Sequence, residues 1–153
     1  MIGLGHDANK ARRYNDLGRL DEGTLGRAYW RFVVDNDLGF PGEAEEGTWH
    51  DVTHVLAGYD TSPEGEVSVV SFIAGYRKED PFFWLFTIAL QFHLGIRVSP
   101  YSAAGLGHFE PTLVLRALRR GMEMKRDLSV DDDPWEDFER PLADVRREYN
   151  VVP

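Results

Sequence analysis

Apolar residues recur at helical spacing along nearly the whole chain. No run shows the strict alternation of apolar and polar positions, bounded by hairpin turns, that predicts paired β-strands. The segments between the helical runs are short and rich in glycine, proline and acidic residues. The pattern therefore predicts an all-α fold, an antiparallel bundle of about six to seven helices that forms a single domain over residues 1–153.

Capping and breaking residues set the expected ends of the helices. Thr24 is suited to an N-cap, and the helix after it should fade near Asn36. A helix that begins near Thr48 should stop at Gly58, and Pro63 suits the first position of the next helix. The other predicted helices cover about 8–20, 63–77, 81–95, 109–126 and 142–149, with loops at 37–47, 98–107 and 131–134.

Composition and charge narrow the possible functions. The chain has 26 acidic and 17 basic residues and a net charge of −9, which argues against a nucleic-acid partner. It has no cysteine, so a disulfide framework, an iron–sulfur cluster and a thiol nucleophile are ruled out, and a cytoplasmic location fits. The N-terminus does not resemble a secretory signal, and no apolar run reaches the ~20 residues of a membrane span.

The most informative cluster of polar residues is His50-Asp51-Val52-Thr53-His54. At ~100° per residue, His50, Asp51 and His54 point from one sector of a helix, while Trp49, Val52 and Leu56 face the other way, into the bundle. Two imidazoles at positions i and i+4 can bind one ion, as in zinc proteases. Asp51, however, stands where those proteases carry the catalytic glutamate.

Glu66 is the expected partner of the two histidines. It shares a predicted helix face with aliphatic residues, where an unpaired carboxylate would be costly to bury. A tight turn should make this helix antiparallel to the one with His50 and His54, which brings Glu66 towards them. The four side chains would suit a divalent ion: zinc, iron, manganese or magnesium. The alternative is that the histidines are ordinary surface or core residues.

Four ordered stretches resemble one family. His50-Asp51-x-x-His54, followed eleven residues later by Glu66, looks like the signature of the coenzyme Q (ubiquinone) biosynthesis protein 4 family. Residues 22–29 (EGTLGRAY) resemble the family's EGTLG-A-Y segment, and residues 55–61 followed by Gly65-Glu66 resemble the continuation of its signature. Trp135-Glu136 with 140–146 (RPLADVR) resembles its C-terminal ending. Typical members of the family have more residues before the segment that matches 22–29, and between that segment and the signature. This chain is therefore similar to a short version of the family.

The resemblance implies an all-α protein of ubiquinone or related prenyl-quinone biosynthesis whose divalent metal is bound by His50, Asp51, His54 and Glu66. It also implies an isoprenoid lipid ligand, a homodimer, peripheral contact with the inner face of the membrane, and other quinone-biosynthesis proteins as partners. Three activities stay open. They are oxidative decarboxylation of a prenylated benzoate with Asp51 or Glu66 relaying protons, non-catalytic presentation of lipid within a biosynthetic complex, and, as the weakest, a metallohydrolase.

Two further segments are candidates for lipid contact. Residues 81–96 carry no charged side chain and include Phe82, Phe83, Phe86 and Leu90. A helix that is apolar all round is buried on every side or meets a lipid or a partner chain. We favour the central helix of the bundle, with an acyl-tunnel wall or a dimer face as alternatives. Arg116 and Arg119 lie on a basic helix, which is either a solvated face or a phosphate-binding site.

Overall fold

The computed structural model describes residues 7–43, 48–77, 81–98, 104–129 and 135–153. Within these ranges the chain forms eight α-helices, one short 3-10 helix and no β-strand, which confirms the predicted all-α fold. The α-helices are α1 (Ala8–Asn15), α2 (Leu25–Asp35), α3 (Thr48–Ala57), α4 (Pro63–Arg77), α5 (Pro81–Phe92), α6 (Pro111–Glu123), α7 (Trp135–Phe138) and α8 (Leu142–Tyr149).

The helix ends follow the local capping chemistry in most places. Thr24 accepts a hydrogen bond from the Arg27 amide at 3.2 Å and starts α2 as predicted. The predicted first helix instead changes to a 3-10 helix at Asp16–Arg19, a segment that contains the poor helix former Gly18. The four-residue helix α7 was not predicted. The predicted acidic loop at 131–134 lies outside the described residues, as do Asp80 and the loop segments 44–47 and 99–103.

The main core gathers the buried faces of α1, α2, α3, α4, α6, α7 and α8. Aromatic rings fill its centre: the Tyr29 and Phe138 rings stack with centroids 5.5 Å apart, and Tyr14 lies 4.8 Å from Trp135. Val52 and Leu56 of α3 are buried in this core and Trp49 packs against it, so the apolar side of the histidine-bearing helix lies where its periodicity placed it. Packing on that side fixes the direction in which the polar side of α3 points.

Helix α4 is held against α6 by direct backbone contact. A Cβ atom on Gly121 would overlap the Phe72 carbonyl, and one on Gly75 would overlap the Leu118 carbonyl. These two glycines therefore let the helix axes approach more closely than any other residue would allow. The close approach gives α4, which carries Glu66, a rigid support.

The prediction that α5 is a central helix was wrong. Its inner side, with Ile88 and Phe92, packs with Val67 and Val114 in a small second core. Its outer side is open to solvent: Phe82, Phe83 and Phe86 are 74, 60 and 54% exposed. Sequence alone showed that α5 is apolar all round, but not that α4 and α6 would cover only one side of it. None of the described helices has the length and hydropathy needed to cross a membrane.

Candidate metal centre

The turn between α3 and α4 brings the polar faces of these helices together. Gly58 adopts a left-handed conformation (φ 75°) that ends α3, and its amide donates to the His54 carbonyl at 2.9 Å. Two residues further on, the Asp60 carboxylate accepts from the Ser62 amide at 3.1 Å. The Ser62 hydroxyl in turn accepts from the Gly65 amide at 3.1 Å, which caps the start of α4. Glu66 thereby sits in the first turn of α4.

Three predicted ligands meet at this junction. His50, His54 and Glu66 each offer a ligand atom, and these atoms all lie within 4.8 Å of one another. The Glu66 carboxylate places Oε2 3.3 Å from His50 Nε2 and Oε1 3.3 Å from His54 Nε2. The two imidazole nitrogens are 3.0 Å apart. Two nitrogens and a carboxylate converging on one point form a donor set typical of a divalent transition-metal site.

Glu66 has the electrostatic properties that suit a cation ligand. Its Oε2 atom is buried and has no hydrogen-bond partner among the described residues, although His50 Nε2 lies nearby. Burial acts to raise the pKa of Glu66, but the two imidazoles outweigh it and lower that pKa to about 2. The site therefore holds a carboxylate that stays ionised between two imidazole nitrogens, a donor set that fits a divalent metal ion.

His54 is held in one orientation by its surroundings. The side chain is almost completely buried, with 1% exposed, and its ring stacks on Phe32 with centroids 5.1 Å apart. Its Nδ1 atom lies 3.2 Å from the Tyr59 carbonyl oxygen. A carbonyl oxygen only accepts, so Nδ1 carries a proton and Nε2 is the ring nitrogen that faces the cluster.

Asp51 lies beside the cluster rather than in it. Its side chain lines the same pocket, yet among the described residues the ligand atoms that converge belong to His50, His54 and Glu66. Burial raises the pKa of Asp51 to about 6, an effect that the two histidines only partly offset and that Glu66 strengthens. A carboxyl group that titrates near neutrality is suited to holding or releasing a proton at this pocket.

The cluster opens into a pocket of about 190 Å³. Sequence reasoning did not identify its other described walls. Thr61 and Pro63 belong to the junction of α3 and α4, whereas the rest come from segments distant in the sequence: Phe32, Leu38, Ala104 and Gly105. The segment with Ala104 and Gly105 is tied to α4 through His108, whose Nδ1 lies 3.1 Å from Glu64 Oε1. The pocket is therefore polar at the histidines and largely apolar around them.

The predicted lipid- and phosphate-contacting residues lie elsewhere. Phe82, Phe83 and Phe86 are exposed on α5, Leu90 is half-buried, and Arg116 and Arg119 are exposed on α6. None of these six is among the described residues that line the pocket. Their grouping on α5 and α6 therefore defines surfaces separate from the histidine cluster.

Comparisons with known proteins add no assignment. A scan against protein-family models found no match for this chain, and a search of curated proteins found none either. Conclusions about function therefore depend on the site itself.

Proposed function

We propose that the chain is a metal- and isoprenoid-binding protein of ubiquinone or related prenyl-quinone biosynthesis, as its likeness to the coenzyme Q biosynthesis protein 4 family suggests. The observation that carries the metal part is the convergence of His50, His54 and Glu66, whose ligand atoms all lie within 4.8 Å of one another. Oε2 of Glu66 is buried and makes no well-formed hydrogen bond, although His50 Nε2 lies 3.3 Å away. A metal ion bound between the three groups would be a stronger partner for that oxygen.

In this proposal the three ligands hold the ion at the polar end of the pocket, and Asp51 stands beside it. A bound dication supplies Lewis acidity that orients a substrate carboxylate and stabilises negative charge. Asp51, whose pKa is raised to about 6, holds or releases a proton within the pocket. The apolar walls formed by Phe32 and Leu38 are suited to the ring or the first isoprenoid unit of a prenylated compound.

The enzymatic version of the proposal is oxidative decarboxylation of a prenylated benzoate. The ring loses its carboxyl group as carbon dioxide and gains a hydroxyl group, so one oxygen atom must come from outside. Dioxygen with two electrons and two protons supplies that atom and leaves one water. The alternative is a carrier that presents a prenyl lipid without chemistry, and the exposed phenylalanines of α5 favour a lipid contact in either version.

Metal binding is tested with a matched pair of variants in the first turn of α4. We expect Glu66→Gln to weaken Zn²⁺ or Mn²⁺ binding, measured by isothermal titration calorimetry, by more than the roughly 10–100-fold typical of outer-shell changes. Glu64→Gln is the control, because Glu64 is exposed and pairs with His108 instead. Equal affinities in the two variants would contradict the site.

Native mass spectrometry of protein from its own host identifies the metal and any co-purified lipid together. If neither is present, both versions of the proposal fail. The two versions separate on turnover: the loaded protein, supplied with dioxygen, a reductant and a carboxylated prenyl-phenol, releases carbon dioxide only if it is the enzyme. We expect Asp51→Asn to keep metal binding while slowing that release.

A further inference from the structure

Two arginines from distant parts of the chain cap the C-terminal end of α3. Arg146 of α8 donates from Nε to the Leu56 carbonyl at 2.9 Å and from Nη2 to the Val55 carbonyl at 2.8 Å. Arg120 of α6 donates from Nη2 to the Ala57 carbonyl at 3.0 Å. The last carbonyls of a helix lack partners within it, and a cation there is favourable. Both arginines thus stabilise the helix that carries His50 and His54.

Arg120 also contacts Tyr59, the residue that follows Gly58 at the end of α3. Its Nη1 donates to the Tyr59 hydroxyl, and its guanidinium lies 4.9 Å from the centroid of the Tyr59 ring. Within the described part of the chain, Arg146 makes no hydrogen bond to Tyr59. The two arginines therefore share the capping of α3 but differ in their contact with Tyr59.

Tyr59 connects this contact to the metal centre through its backbone. Its carbonyl oxygen is the partner of His54 Nδ1 at 3.2 Å, and this bond turns Nε2 towards Glu66 Oε1. Metal-bound histidines commonly depend on such a partner, which fixes the orientation of the ring. If the Tyr59 carbonyl turns away, the ring loses the contact that holds it, and Nε2 is no longer directed into the cluster.

We propose that Arg120 is a positioning residue for His54: by holding the Tyr59 hydroxyl and the end of α3, it keeps the Tyr59 carbonyl on Nδ1 and Nε2 directed into the cluster. The consequence for metal affinity rests on the proposed function, whereas the orientation of the His54 ring does not. The phosphate hypothesis names only Arg116 and Arg119 of α6, and the positioning role assigns a function to Arg120 of the same helix.

The test compares Arg120→Met and Tyr59→Phe with Arg146→Met as the control that loses only the helix cap. The readouts are the solvent-exchange rate of the His54 Nδ1 proton in metal-free protein, measured by NMR, the Zn²⁺ dissociation constant and the melting temperature. We expect the first two variants to speed the exchange of that proton and weaken Zn²⁺ binding by about tenfold. Arg146→Met should lower the melting temperature while the exchange of the His54 Nδ1 proton stays as in the wild type.

The positioning role is overturned if the His54 Nδ1 proton exchanges at the wild-type rate in Arg120→Met and Tyr59→Phe, or if all three variants speed its exchange equally. Should Arg120→Met fail to fold, Tyr59→Phe decides the question, since it removes a single hydroxyl from a half-buried ring. Wild-type protein that takes up no Zn²⁺ would end the metal proposal, and the exchange rates would still accept or reject the role of Arg120.

Discussion

At the scale of single residues, two carboxyl groups of one pocket have pKa values displaced in opposite directions. Glu66 faces both imidazoles and its pKa falls to about 2, whereas burial raises that of Asp51 to about 6. Both side chains belong to the same junction of α3 and α4, so the two pKa values differ because the immediate surroundings of the two carboxyl groups differ. Such a split is typical of sites in which one carboxylate binds charge and the other moves a proton.

The raised pKa of Asp51 predicts a pH dependence of stability. The unfolded carboxyl titrates near pH 4 and the folded one near pH 6, so the folded state binds the extra proton in between. Stability from this group is therefore full below about pH 4 and is lost as the pH rises to about 6. Relative to Asp51→Asn, the metal-free wild type should lose about 2 kcal/mol of unfolding free energy across that interval.

Urea denaturation of both proteins in chelator at several pH values measures this difference. The variant shares every other titratable group with the wild type, so it serves as the control for them. If the difference in unfolding free energy between the two proteins stays constant from pH 4 to pH 6, the pKa of Asp51 is not raised by folding.

Sequence spacing was sufficient to predict that His50, His54 and Glu66 converge, but not which residues hold them in place. His50, His54 and Glu66 were predicted because a helix of fixed pitch and a short turn leave little freedom in where they point. The roles of the Tyr59 carbonyl and of Arg120 could not be predicted in this way. Arg120 contacts the Tyr59 hydroxyl from 61 positions along the chain, and this contact depends on how α6 packs across the end of α3.

At the scale of elements, the bounds of α3 and α4 agree with prediction, since Gly58 and Pro63 are local signals. The burial of α5 does not agree with prediction, since it depends on which helices pack against α5. The same contrast appears at α2 and α7. Thr24 marks the start of α2 in the sequence, but nothing in Trp135–Phe138 indicated that this short helix packs on Gly26.

Gly26 lies where α7 packs against α2. A Cβ atom there would lie 2.7 Å from the Leu20 side chain and 2.9 Å from both the Phe138 carbonyl oxygen and its Cβ. We expect Gly26→Ala to destabilise the protein by about 1–3 kcal/mol, since overpacking against backbone outweighs the better helix propensity of alanine. Thermal and urea unfolding measure the change.

The matched control for this substitution is Val34→Ala on the same helix. Val34 is 46% exposed, so its truncation should change stability by no more than about 0.5 kcal/mol. If Gly26→Ala were as stable as this control, α7 would not be packed against α2 as described.

At the scale of the whole molecule, two stretches that suggested the family lie against each other. The Leu25 amide donates to the Arg140 carbonyl at 2.9 Å, and the Leu142 amide donates to the Gly23 carbonyl at 2.8 Å. The segment after residue 140 also supplies Arg146, which caps α3. The C-terminal ending thus joins the start of α2 to the helix with the histidines, and separate motifs along the chain support one structure.

The outer side of α5 leaves three large aromatic side chains uncovered, Phe82, Phe83 and Phe86, and the proposed lipid binding predicts that this side contacts the bilayer. Phe82 and Phe86 stack with ring centroids 6.5 Å apart on a face without charge, whereas the chain as a whole carries a net charge of −9. Contact with a bilayer should therefore come from apolar insertion, and anionic lipid or low salt should strengthen it little.

Replacing both rings in Phe82→Ser/Phe86→Ser removes about 2–4 kcal/mol of apolar transfer free energy, so vesicle partitioning should fall about 30-fold or more. Co-sedimentation with phosphatidylcholine vesicles measures this, and Met122→Ser, at an apolar side chain 62% exposed on α6, is the control. A double variant that sediments like the control would exclude α5 as the lipid-contacting face. Wild-type binding that required anionic lipid would instead assign the contact to the arginines of α6, because only a basic surface responds to lipid charge in that way.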